Sequence, residues 1–199
     1  KIFFDFIIVI AIFCITVIMA INNGMHHCIA GPLDYYPQAI GIAISSLKYN
    51  LGGYVGYDHI YDTLISNGMN WNFHCNHEIL NHAIQKALMA GEFPSKSIYT
   101  FWVGDVGYID YIRVSFLIFG YKIESLLYLY FLLLFIQVMI FFLEFKKNNL
   151  AVVALIIFLL SHYVVAATVS VVGNQLLTVH NYRFISVLGI LPIMHICLL

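Results

Sequence analysis

The stretch IESLLYLYFLLLFIQVMIFFLEF, residues 123–145, decides how the rest of the chain is read. Glu124, Gln137 and Glu144 are its polar positions, and apolar and aromatic side chains fill almost all the others. About 20 such residues, rising 1.5 Å each, cross the roughly 30 Å hydrocarbon core of a bilayer as a helix. Working outward, Ile2 to Ile21 has the same character, interrupted by Asp5 and Thr16, and Leu150 to Val172 repeats it around His162. Phe184 to Leu199 is apolar and somewhat shorter. The expected class is therefore all-α: a polytopic helical membrane protein with four transmembrane helices and an outer loop of interfacial helices. Residues 1–21 form the first span, 22–122 an external helical loop, and 123–199 the second to fourth spans. The first apolar run exceeds the roughly 7–15 residues of a signal-peptide core, so it reads as a retained helix. The chain opens on Lys1 and closes inside an apolar run, and we expect it to be part of something longer.

Composition agrees. Of 199 residues, 62% are hydrophobic and 10% charged, against about 45–50% and about 25% in soluble domains. Such a chain cannot cover itself with polar surface, and it is too apolar for disorder. A formal charge of −1 offers no electrostatic case for nucleic acid. Lys146-Lys147-Asn148-Asn149 joins the second and third spans, and basic short loops stay cytoplasmic. Residues 22–122 and 173–183 then face outward, as expected of a protein in a bacterial inner membrane.

Within the outer segment, Ala39, Ile40, Ala43, Ile44 and Leu47 recur at helical spacing after Pro37. Ile79, Leu80, Ala83, Ile84, Ala87 and Leu88 repeat that pattern between Asn76 as N-cap and Gly91 as stop. Ile109, Ile112, Phe116 and Phe119 make a third helix, opened by Asp105 and closed by Gly120, and Asp58–Ser66 a short one ending at Asn67-Gly68. Gly52-Gly53, Gly56 and Pro94 read as turns. We expect these helices to lie at the membrane interface with their apolar faces toward lipid or the spans.

Cys14 and Cys197 fall in spans and read as small apolar packing, whereas Cys28 and Cys75 share the outer segment, where a disulfide is permitted. Six of nine histidines also fall within residues 22–122. His77 and His82 are five apart, not the four a zinc-protease helix needs, so they read as hydrogen-bonding groups. His162 and His195 lie at similar depths, about 15 and 18 Å below the outer surface. Facing imidazoles there are either interhelical hydrogen-bonding groups or ligands for a haem or pigment. The outer acids are Asp34, Asp58, Asp62, Glu78, Glu92, Asp105 and Asp110. Each is either a helix cap or solvated carboxylate, or a general base or ligand for a divalent cation.

The segment order, with HAIQKALMAGEFP at residues 82–94, GDVGYIDYI at 104–112 and FLIFG at 116–120, resembles the start of the GT-C membrane glycosyltransferases. The first stretch is similar to the A-x-x-L-x-x-G-x-x-P segment of the protein O-mannosyltransferase and aminoarabinose-transferase branch. The likeness covers 1–145 in layout and 76–130 in residue pattern. It implies a polytopic enzyme that moves a sugar from a polyprenyl-phosphate donor on the outer face, with an acid of the first outer loop as base, often beside a metal. Where the family carries Asp or Asp-Glu, this chain has Asn76-His77-Glu78, so Glu78 is the matching carboxylate. Asp105 corresponds to the acid of the second motif, and Asp34 is the alternative as the first acid after the initial helix. Arg113, Lys122 and Arg183 would hold the donor phosphate, or serve as interfacial anchors. The competing expectation is a non-catalytic subunit whose aromatic-rich spans join other membrane subunits.

Overall fold

The computed structural model describes residues 1–24, 35–69, 77–91, 97–100 and 106–167. Among them the chain is predominantly helical: α1 (Ile2–Gly24), α2 (Tyr35–Tyr49), β1 (Val55–Tyr57), α3 (Asp58–Ser66), α4 (His77–Met89), β2 (Ile98–Thr100), α5 (Val106–Phe119), α6 (Glu124–Phe145) and α7 (Asn149–Ala167). It divides into two compact units, one of Ala30–Leu129 and one of Lys1–Ile29 with Tyr130–Leu199.

The second of these is built from apolar helices. Phe13 of α1 sits against Phe131 and Phe135 of α6, with ring centroids 6.5 and 5.4 Å apart, and Phe6 meets Phe142 at 5.5 Å. α1 also lies along α7. Asn148 caps α7, its side-chain oxygen accepting from the amides of Leu150 at 3.1 Å and Ala151 at 3.3 Å. What these helices turn outward is also apolar. Phe3, Ile15 and Ile18 on α1, Ile136, Ile140 and Leu143 on α6, and Leu150, Val153 and Ile157 on α7 are all exposed. A water-facing bundle would carry charge at such positions.

Among the described residues, two helices are long and apolar enough to cross a membrane: Ile2–Met19 within α1, and α6. Four were expected. α7 contributes a shorter apolar stretch, Asn149–Ser161, and the fourth segment, 184–199, lies outside the described residues. The first helix runs to Gly24 rather than ending at Ile21. Cys14 is exposed on it, not packed inside.

The unit Ala30–Leu129 is organised on α2. Ala39, Ile40, Ile42, Ala43 and Ile44 are fully buried, because α3, α4, α5 and β1 all pack on this helix. Ile60 and Leu64 of α3, Leu80, Ala83, Ile84 and Ala87 of α4, and Ile109, Ile112 and Phe116 of α5 complete the core. The apolar stripes read from the sequence thus largely meet one another rather than lipid or the spans.

Two short strands were not anticipated. β1 and β2 pair antiparallel, with Gly56 opposite Tyr99. Gly56 reads as a turn residue in sequence, yet it lies mid-strand because the Tyr99 ring occupies the space a side chain would need. The Tyr99 hydroxyl donates to the Gln38 carbonyl of α2 at 2.9 Å. Burial pushes this phenol well above its usual range, so it remains a donor. Ser45 joins the same corner, donating to the Gly41 carbonyl at 2.6 Å and accepting from the Tyr57 amide at 3.1 Å.

Lys48, in the last turn of α2, caps the end of α4. Its ammonium donates to the carbonyls of Leu88 and Ala90, each at 2.5 Å, and lies 4.8 Å from the Tyr49 ring centre. Charge-assisted bonds to helix C-terminal carbonyls work with the helix dipole. Lys48→Met should cost this unit about 1–3 kcal/mol. Hydrogen exchange should show it as faster exchange in the last turn of α4, with α6 unchanged.

Candidate functional site

One group of polar side chains lies on one face of α4 and on the link between α5 and α6, while Asp58, His59 and Asp62 stand on α3 and Asp110 and Arg113 on α5. At 100° per residue, Glu78, Asn81, His82 and Gln85 share a helix face. That face meets the link. Asn81 accepts from the Ile123 amide at 2.8 Å and donates to both Glu124 carboxylate oxygens at 2.9 Å. One turn on, Gln85 donates to the Tyr121 carbonyl at 3.0 Å. Gly120, at φ +86, stops α5 in the left-handed region that favours glycine, and its carbonyl accepts from Ser125 at 2.5 Å. The link is therefore short and fixed at both ends.

This junction positions two of the residues expected from sequence. Glu78 stands in the first turn of α4, exposed, one turn before Asn81, where the helix N-terminus favours a carboxylate. Lys122 is exposed immediately before Ile123. A carboxylate and a cation thus flank one hydrogen-bonded corner, with the exposed His82 beside Glu78 on the same face.

Arg113 is committed elsewhere. Its guanidinium donates to Asp110 at 2.8 Å and to the Gly53 carbonyl at 2.6 Å, and lies over the Tyr54 ring at 5.6 Å. Tyr54 donates to the other Asp110 oxygen at 3.3 Å. This cluster ties α5 to the Gly52-Gly53 turn, so of the expected phosphate-holding residues Lys122 is the described one that stands open to solvent.

His59 lies between aromatic rings, stacked on Tyr57 at 5.6 Å and edge-on to Tyr49 at 6.0 Å. Burial, and then the nearby Lys48 ammonium, hold its pKa below the ordinary 6.5, outweighing Asp58 and Asp62. It is a neutral packing group.

Asp34, Asp105, Arg183, His195, Cys28 and Cys75 lie outside the described residues, and His162 falls on α7. The base assigned to Asp34, the second-motif acid, the disulfide and the imidazole pair are therefore not located. Among the described residues, no group of three or more His, Cys, Asp and Glu side chains is arranged to hold a metal ion.

Sequence reasoning missed the Asn81–Glu124 contact and the Lys48 cap, both joining residues about forty positions apart. Only the Asp110–Arg113 pair carried a local signal, its i,i+3 spacing on a helix. No family model, no curated protein and no solved structure matches this chain.

Proposed function

We propose that the chain is an integral membrane glycosyltransferase of the GT-C type, transferring a sugar from a polyprenyl-phosphate donor on the outer face of a bacterial inner membrane. The observation that carries the reading is the corner just described. A carboxylate (Glu78) and a cation (Lys122) flank it, and it sits directly at the start of α6, a helix long and apolar enough to span a bilayer. A lipid-carried donor presents its phosphate at that level. Glu78 takes the proton of an acceptor hydroxyl, whose oxygen bonds to the anomeric carbon. The carbon–oxygen bond to phosphate breaks, and polyprenyl phosphate leaves with the electron pair beside Lys122, with Arg183 as a second candidate holder. Asp34 is the alternative base, and a divalent cation, were one bound by outer-loop carboxylates, would neutralise charge on the leaving phosphate in the same chemistry.

The reading is tested with the full chain in proteoliposomes supplied with polyprenyl-phosphate mannose, glucose or aminoarabinose. Release of polyprenyl phosphate from one of these donors, dependent on Glu78, supports it. No release from any of the three overturns it, in favour of a non-catalytic subunit that joins other membrane subunits.

A further inference from the structure

Helix α5 differs from its neighbours in what it turns outward. Its buried side is regular: Tyr108, Ile109, Ile112, Ser115 and Phe116. On the opposite side, the N-terminal half presents Gly107 and the half-exposed Asp110. The C-terminal half presents only Val114, Leu117 and Ile118, at 44%, 68% and 54% exposure. These three form one contiguous i, i+3, i+4 patch. Other exposed apolar residues of this unit, such as Ile79, Met89 and Ile98, are scattered singly, and single ones are ordinary.

The patch adjoins the start of α6. The Tyr111 hydroxyl donates to the Leu126 carbonyl, and the Phe119 ring lies 5.8 Å from that of Tyr128. Between those two contacts α5 advances eight residues, about 12 Å, while α6 advances only two, about 3 Å. The helix therefore runs across the first turns of α6, and its apolar end sits level with residues 126–128, inside the apolar stretch of that helix. Lys122, exposed at the same end, stands where lipid phosphates would be.

We infer that the C-terminal half of α5 rests in the headgroup–acyl boundary of the bilayer, with Val114, Leu117 and Ile118 against lipid. This rests on the membrane reading of α6 given above. The patch lies one helix from the corner that carries Glu78.

The test places one added tryptophan at a time in the full chain in proteoliposomes, with Trp71 and Trp102 of the parent as the baseline. Leu117→Trp should lose roughly half its added emission to lipid brominated near the headgroup, as expected for a side chain about 5–10 Å into the boundary, and should resist iodide. Ile118→Trp should behave alike, should Leu117→Trp fail to fold, and Asp62→Trp on α3 should respond to iodide alone. Quenching of both α5 positions by iodide alone would put the patch in water and overturn the inference. Indifference to both quenchers would show it covered by protein and would overturn the inference equally. Ile136→Trp on the outward side of α6, read with lipid brominated near the acyl-chain ends because it lies about 12–15 Å deeper, separates the two claims. If it is quenched by brominated lipid while the α5 positions are not, only this inference falls; if it is not quenched, the membrane reading falls as well.

Discussion

Gly56→Ala should destabilise the unit Ala30–Leu129 by about 2–3 kcal/mol, and Tyr99→Phe should not rescue it. A Cβ at residue 56 would lie 2.5 Å from Tyr99 Cζ, 2.6 Å from its hydroxyl and 2.7 Å from Cε1, so the ring itself is the obstacle. The ring is hemmed in by Tyr61 at 5.5 Å and by the hydroxyl's bond to Gln38. Gly41→Ala provides the contrast. Its Cβ would collide with the Tyr99 hydroxyl, but the next ring atom is at 3.6 Å, an ordinary contact. That clash belongs to one oxygen, which Tyr99→Phe removes. Combined with Tyr99→Phe, Gly41→Ala should become neutral or stabilising by up to about 1 kcal/mol, because alanine is the better helix former. Hydrogen exchange of the α2 amides in the full chain reads this directly. A loss of about 2–3 kcal/mol appears as roughly 30- to 150-fold faster exchange. Equal rescue of both variants by Tyr99→Phe would contradict the wedge.

The largest expected effect on activity is at Glu78. Replacing its carboxylate with the near-isosteric amide in Glu78→Gln keeps the shape and removes the proton acceptor. Turnover of the polyprenyl-phosphate donor should fall by about 10²–10⁴-fold, the usual contribution of a positioned base. KM for the donor should change little, since the proposed mechanism assigns the phosphate to the cations and not to Glu78. Asp34→Asn is the companion variant. A loss confined to Asp34→Asn would move the base to that residue. Full activity in both variants would remove these carboxylates from the chemistry. Lys122→Met should instead raise KM.

Much of the fold was legible because its signals are local. The α3 boundaries, Asp58 and Ser66, follow from the acid at its start and Asn67-Gly68 at its end, and Gly68 does take a left-handed φ of +110. Repeats of three and four residues found α2, α4 and α5, and unbroken apolar length found α1, α6 and α7. Periodicity shows that a face is buried, however, not what buries it, so stripes assigned to lipid or the spans proved largely to enclose α2. The β ribbon was invisible because each strand is only three residues, one centred on a glycine whose meaning is set by Tyr99, some forty positions away. The same limit applies to the site. Glu78 and Lys122 were named from a family resemblance, but the corner they flank depends on Asn81 and Gln85, ordinary polar residues until their partners at 121–124 are known.

Sugar transfer on the outer face requires α6 to cross a membrane with the Ala30–Leu129 unit outside and the Lys146-Lys147 turn inside. The most direct test is labelling of Asp62→Cys and Lys147→Cys in intact cells with a membrane-impermeant maleimide, each measured against the unsubstituted chain. We predict that Asp62→Cys labels in intact cells and that Lys147→Cys labels only after permeabilisation. The reverse pattern, or equal labelling of both sites before permeabilisation, would contradict it.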